Sequence, residues 1–110
     1  MEDCLFCKII KGEIPCDKVY EDDKVLSFKD INPEAPVHVL TVPKKHISST
    51  NDLKAEDEEL VGYIYTVMVK IAKQLGISEK GYRIISNCGE DGGQTVSHIH
   101  FHLLGGKKLD

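Results

Sequence analysis

The stretch Ser97-His98-Ile99-His100-Phe101-His102-Leu103-Leu104 decides the reading of this chain. Histidine and apolar residues alternate strictly in it, so the sequence predicts a strand over His98–Leu104 with three imidazoles on one face. Ile99, Phe101 and Leu103 then face the core, which makes one side of the sheet structural and the other chemical. Three of the chain's five histidines on one strand face exceed what packing requires. Spacing divides that face. Residues two apart lie roughly 6.6 Å from each other, so two imidazoles can share a metal if a neighbouring strand adds a third ligand such as His38. A zinc-dependent hydrolase built on His38, His100 and His102 is one reading of that geometry. Residues four apart lie roughly 13 Å from each other, too far for one ion with bonds of about 2.1 Å, so His98 and His102 must serve different purposes.

Working outward, the loop Asn87-Cys88-Gly89-Glu90-Asp91-Gly92-Gly93-Gln94-Thr95 stands just before the histidines. Its glycines let backbone N–H groups approach an anion, and Gln94 and Thr95 add an amide and a hydroxyl. This is the composition of a phosphate cradle, although the Lys-Ser/Thr ending of a Walker loop and the βαβ setting of a dinucleotide site are both missing. At the other end of the chain, Cys4-Leu5-Phe6-Cys7 offers two thiolates at C-x-x-C spacing, and His46 follows Pro43-Lys44-Lys45. Cys4, Cys7, His46 and His98 would make a closed structural zinc site and leave His100 and His102 for chemistry.

The remaining segments supply a scaffold. Cys4 to Lys11 reads as one or two helical turns stopped by Gly12. Val19-Tyr20 and Val25–Phe28 flank the polar break Glu21-Asp22-Asp23-Lys24 and predict a hairpin. Asp30 to Pro36 carries two prolines and reads as an ordered loop, followed by a strand from Val37 to Val42 that ends at Pro43. The clearest helix runs from about Ala55 to Gln74, with Leu60, Ile64, Val67, Met68 and Ile71 at three- and four-residue steps, an acidic first turn, and Gly76 beyond its end. A strand over Tyr82–Ser86 precedes the glycine-rich loop. Strands outnumber helices and include a hairpin, so the expected class is α+β: an antiparallel sheet with one main helix and a short N-terminal helix, in one domain over residues 1–110.

Composition narrows the function. With 110 residues, 41% apolar and 29% charged, the chain is ordinary for a globular protein. A net charge of −4 argues against nucleic acid as partner, because neutralising a phosphate backbone needs a Lys/Arg stripe. A small ligand is expected instead. Met1-Glu2-Asp3-Cys4 has no basic leader character and no apolar run approaches the ~20 residues that span a bilayer, so the expected compartment is the cytoplasm, with no membrane partner. In that reducing setting the four cysteines are expected as metal ligands or packing residues rather than disulfides.

Taken together, Phe28-Lys29-Asp30-Ile31-Asn32-Pro33, Ala35-Pro36-Val37-His38, Pro43-Lys44-Lys45-His46-Ile47 and Gly92-Gly93-Gln94-Thr95-Val96-Ser97-His98-Ile99-His100-Phe101-His102-Leu103-Leu104 resemble the histidine-triad family, in particular its Hint branch of nucleoside phosphoramidases. The resemblance spans nearly the whole chain. It implies a homodimer whose sheets join, with a purine nucleotide site in each subunit. It further implies His100 as nucleophile supported by His38 and His102, Asp30 and Ile31 at ribose and base, and Asn87, Gly93, Gln94 and Thr95 around the phosphate. Zinc ligands matching Cys4, Cys7, His46 and His98 are implied as well. The expected activity is hydrolysis of adenosine 5′-phosphoramidates, including AMP-lysine-like adducts, through a nucleotidyl-histidine. Alternatives are a dinucleoside polyphosphate hydrolase of the same superfamily and a non-enzymatic zinc- or nucleotide-binding scaffold. The chain departs from the Hint pattern at Cys88, where a polar residue is expected, and in lacking a Trp-containing tail after Asp110.

Overall fold

A computed structural model describes residues 3–110; Met1 and Glu2, the start of the segment read as lacking a leader, lie outside the described residues. The elements run α1 (Leu5–Ile10), β1 (Lys18–Glu21), β2 (Val25–Lys29), β3 (Val37–Pro43), α2 (Glu58–Gln74), β4 (Tyr82–Ile85) and β5 (Phe101–Gly105). The five strands form one antiparallel sheet in the order β1-β2-β3-β5-β4, which is the α+β architecture expected.

Each face of the sheet is covered by a helix. Alternation along β2, β3 and β5 sends Val25, Val39, Phe101 and Leu103 toward α2, where they pack on Ile64, Val67, Met68, Ile71 and Ala72. Leu26, Phe28, Leu40 and Val42 point the other way and are capped by Phe6 of α1. The chemical face is therefore half apolar, a correction to the division of one structural and one chemical face. His38 and His102 sit on this α1 side, diagonally across the β3–β5 ladder in which Leu40 pairs with His102.

Helix α2 begins later than Ala55 because its first turn is a 3₁₀ turn, Ala55–Asp57. Asp57 folds back to accept a hydrogen bond from the Lys54 backbone N–H (3.0 Å) and also takes the Lys45 ammonium (2.6 Å). At the far end Gly76 adopts φ +75°, and the Ile77 N–H reaches the Ala72 carbonyl (3.0 Å), closing the helix as its position past the last apolar residue implied.

The histidine strand is shorter than the alternation suggests: it starts at Phe101, not His98. In the β3–β5 register Thr41 pairs with Phe101, so the next facing partner for Ile99 would be Pro43, which has no N–H to give. The Ile99 N–H turns instead to the Ile47 carbonyl (2.7 Å), and the Ser86 hydroxyl donates to the His100 carbonyl (3.1 Å) where a ladder bond is missing. His98 and His100 thus lie on irregular backbone between two strands' ends.

Candidate active site and metal centre

That early end of the ladder sorts the histidines into two groups. His98 turns away from the sheet toward the N-terminus, where its Nδ1 lies 3.3 Å from Cys4 Sγ, 3.6 Å from Cys7 Sγ and 3.1 Å from His46 Nδ1. Cys4 caps α1, accepting the Cys7 backbone N–H at its sulfur, which sets both thiols on one turn. The His98 Nε2–H donates to the Pro43 carbonyl (2.8 Å), so its Nδ1 presents a lone pair to the cluster. Burial pushes the Cys7 thiol up, helped by its hydrogen bond to Cys4 and by that neighbour's charge. Two sulfurs and two imidazole nitrogens all lie within 4.8 Å of one another. Such a donor set, with Cys7 and His98 buried and Cys4 and His46 half-buried, fits a tetrahedral, borderline-soft cation, and lone pairs facing each other favour a positive charge between them. Among the described residues the four cysteines are free.

The second group is built from β3, β5 and the loop after β2. The Glu34 backbone N–H donates to His38 Nδ1 (3.0 Å), and this fixes the rest of the chain of protons. His38 must carry its hydrogen on Nε2, from which it donates to His102 Nδ1 (2.9 Å); His102 is then left with an Nε2–H. Asp30 Oδ2 lies 3.4 Å from His38 Nε2, while its other oxygen accepts the Asn32 N–H (2.8 Å). The His102 pKa is pushed down to about 4, by burial first and by His100 and His38 next, against the pull of Asp30 and Glu34. It is a neutral donor at neutral pH.

His100 stands between the groups. Its Nδ1–H donates to the His98 backbone carbonyl (2.7 Å), so the lone pair resides on Nε2. Its ring packs edge-on against Phe6 (5.0 Å between centroids) and lies 5.1 Å from the ring of His102. Burial lowers its pKa, partly offset by the bond to the His98 carbonyl. A buried, neutral imidazole with a fixed tautomer is equipped to attack an electrophile. The metal-capable residues on this side are Asp30, His38 and His102, whose ligand atoms lie within 4.8 Å of one another; His100 does not join that group. The zinc hydrolase built on His38, His100 and His102 is therefore not the arrangement present.

The glycine-rich loop is shaped by its own hydrogen bonds. The Gly93 and Gln94 N–H groups return to the Glu90 (3.0 Å) and Gly89 (3.0 Å) carbonyls, and Asn87 Nδ2 donates to the Gly92 carbonyl (2.7 Å). Gly92 is required there: a Cβ would come 2.2 Å from the Cys88 carbonyl oxygen. Ile31 is almost fully exposed at the mouth of the β2–β3 loop. Sequence reading missed the Glu34 N–H, the Pro43 and His98 carbonyls, and the contact of Phe6 with His100. Backbone partners leave no residue-type signal, and Phe6 reads as an ordinary helix apolar residue.

The HIT domain family matches residues 11–109. The chain is 53% identical over 108 residues to the purine nucleoside phosphoramidase of Escherichia coli K12, covering 98% of this chain and 91% of that protein. Its fold superposes on a histidine triad protein from Clostridium difficile with a TM-score of 0.97 and 55% identity, covering 100% and 96% of the two chains. A HIT family hydrolase from Legionella pneumophila gives the same TM-score at 50% identity, covering 98% and 96%.

Proposed function

The chain belongs to the HIT domain family and is a hydrolase, and from that premise we propose that it is a purine nucleoside phosphoramidase acting on a nucleotide. In this reading it cleaves the P–N bond of adenosine 5′-phosphoramidates, AMP-lysine-like adducts included, in one HIT domain over residues 1–110. The observation that carries the reading is the tautomer of His100: with Nδ1–H held by the His98 carbonyl, Nε2 is the nucleophilic atom. Its lone pair forms a bond to phosphorus as the P–N bond to the leaving amine breaks, and the amine nitrogen takes a proton from solvent, which the attack of water in the second step returns. Water then attacks the nucleotidyl-His100, releasing AMP and restoring the imidazole. The His98 carbonyl stabilises the positive charge that His100 gains on attack.

His102 acts in this scheme as a donor from Nε2 to a phosphoryl oxygen, with His38 and Asp30 behind it fixing the tautomer. Ile31 and Asp30 contact base and ribose, and the loop carrying Asn87, Gly93, Gln94 and Thr95 surrounds the phosphate. Cys4, Cys7, His46 and His98 hold a structural zinc ion, since the four donors leave no position for water. We further read a homodimer through the open edge of β4, with Tyr65, which packs on Phe101 of the neighbouring strand β5 yet stays half exposed on α2, as an apolar surface to be covered. No helix among the described residues is long and apolar enough to cross a membrane. The four free cysteines fit a reducing compartment, so we place the chain in the cytoplasm with neither membrane nor nucleic acid as partner.

Substrate preference tests this function. An AMP-amide should be turned over with a kcat/KM at least about 100-fold above that for diadenosine polyphosphates. Equal or reversed preference would replace the phosphoramidase by a dinucleoside polyphosphate hydrolase.

A further inference from the structure

Gln94 has every polar atom of its side chain engaged inside the protein. Its Oε1 accepts the Gly89 N–H (2.9 Å), and its Nε2 donates to the Ser48 carbonyl (2.7 Å) and the Val96 carbonyl (3.0 Å). Both amide hydrogens are therefore committed, and none remains for a ligand. The bond to Ser48 crosses to the segment that carries His46, whose Nε2 lies 3.3 Å from Ser48 Oγ. Ile47, between them, accepts the Ile99 N–H (2.7 Å), so the same three residues are fastened on one side to the loop and on the other to the histidine segment.

We propose that Gln94 is a positioning residue that couples the Cys4/Cys7/His46/His98 centre to the glycine-rich loop: its side chain shapes the loop from within, and metal held at His46 and His98 fixes the segment to which it is tied. Position 94 thus serves the phosphate site through the loop's conformation and not through a direct side-chain contact. The inference rests on reading the cluster as a metal centre and the loop as the phosphate site.

The test compares amide hydrogen exchange over residues 87–97 in zinc-loaded and zinc-stripped protein, with zinc content measured in each. Zinc should slow exchange of the loop by about tenfold in the wild type. In Gln94→Ala the loop should exchange fast whether or not zinc is bound, with one zinc per chain retained. Gln94→Glu keeps an acceptor for the Gly89 N–H but cannot donate to Ser48, so it should protect Gly89 and still fail to respond to zinc. AMP affinity should follow: stripping zinc should weaken it about tenfold in the wild type and leave Gln94→Ala unmoved. Equal zinc dependence in wild type and Gln94→Ala overturns the coupling, as does a wild-type loop indifferent to bound zinc. A wild type that binds no zinc overturns the coupling together with the metal centre. A zinc-dependent loop in a protein that binds no AMP supports the tether and refutes only the nucleotide reading.

Discussion

Two pairs of histidines in this molecule bring ring nitrogens equally close, 3.1 Å for His46 and His98 and 2.9 Å for His38 and His102, yet the two pairs are built for different work. The difference lies in what each ring's other nitrogen and its surroundings provide. At His38 the Glu34 N–H fills Nδ1, so a proton sits between the rings and the hydrogen-bond chain is complete without any ion. At His98 the Pro43 carbonyl holds Nε2–H, so lone pairs converge, and two sulfurs join them. A backbone donor makes one pair a proton-fixed relay; a backbone acceptor leaves the other with lone pairs that could hold a metal ion.

The sharpest way to break this contrast is to remove the residue between the pairs. His100→Asn should lower kcat by at least about 1,000-fold while zinc content and AMP affinity stay near wild type, because the nucleophile goes and both groups remain. Turnover near wild type would show that neither group serves His100. Next in size is metal removal. Chelation of zinc, or Cys7→Ser, should destabilise the protein by about 4 kcal/mol at free zinc about 1,000 times its Kd, measured by urea unfolding. Chelation should leave the His38–His102 pair intact by histidine NMR. Loss of the relay signals on chelation, or no loss of stability, would erase the distinction.

Acid should act on both groups, since burial lowers the pKa of His98 as well as that of His102, and the relay side is the one a single substitution isolates. The His102 pKa is lowered from the ordinary histidine value near 6.5 to about 4, so the unfolded chain binds that proton first. Its contribution to stability is present above about 6.5 and is lost as pH falls from there through about 4. His102→Asn should flatten that part of the stability–pH curve; an unchanged slope would mean His102 titrates normally. The smallest effect is expected at Ser86, whose hydroxyl replaces a ladder bond to the His100 carbonyl. Ser86→Ala should cost about 1 kcal/mol and reduce kcat only a few-fold, leaving zinc content untouched.

Much of this was legible in the residues. The 3.6-residue pattern located α2, Gly76 marked its end, and the alternation Ile99-Phe101-Leu103 named core residues that do share one cluster. The distance argument separating His98 from His102 also matches where the two rings lie, although its premise of a continuous strand does not hold. What misled was Pro43: its effect falls on a partner strand over fifty residues away, and pairing register cannot be read from one sequence. The backbone carbonyls and the Glu34 N–H that fix the ring tautomers were illegible for a related reason, since every residue type carries them. Phe6 against His100 needed the tertiary fold to bring α1 over the sheet.

Everything in this account turns on His100 Nε2 forming the bond to phosphorus while His102 only donates. Rapid-quench peptide mapping by mass spectrometry, during turnover of an AMP-amide by the wild-type protein, reads that bond directly. An AMP adduct is expected at His100, present in the wild type and in His102→Asn, where it forms more slowly, and absent in His100→Asn. An adduct on His102, or full turnover with no histidine adduct at any quench time, would contradict it.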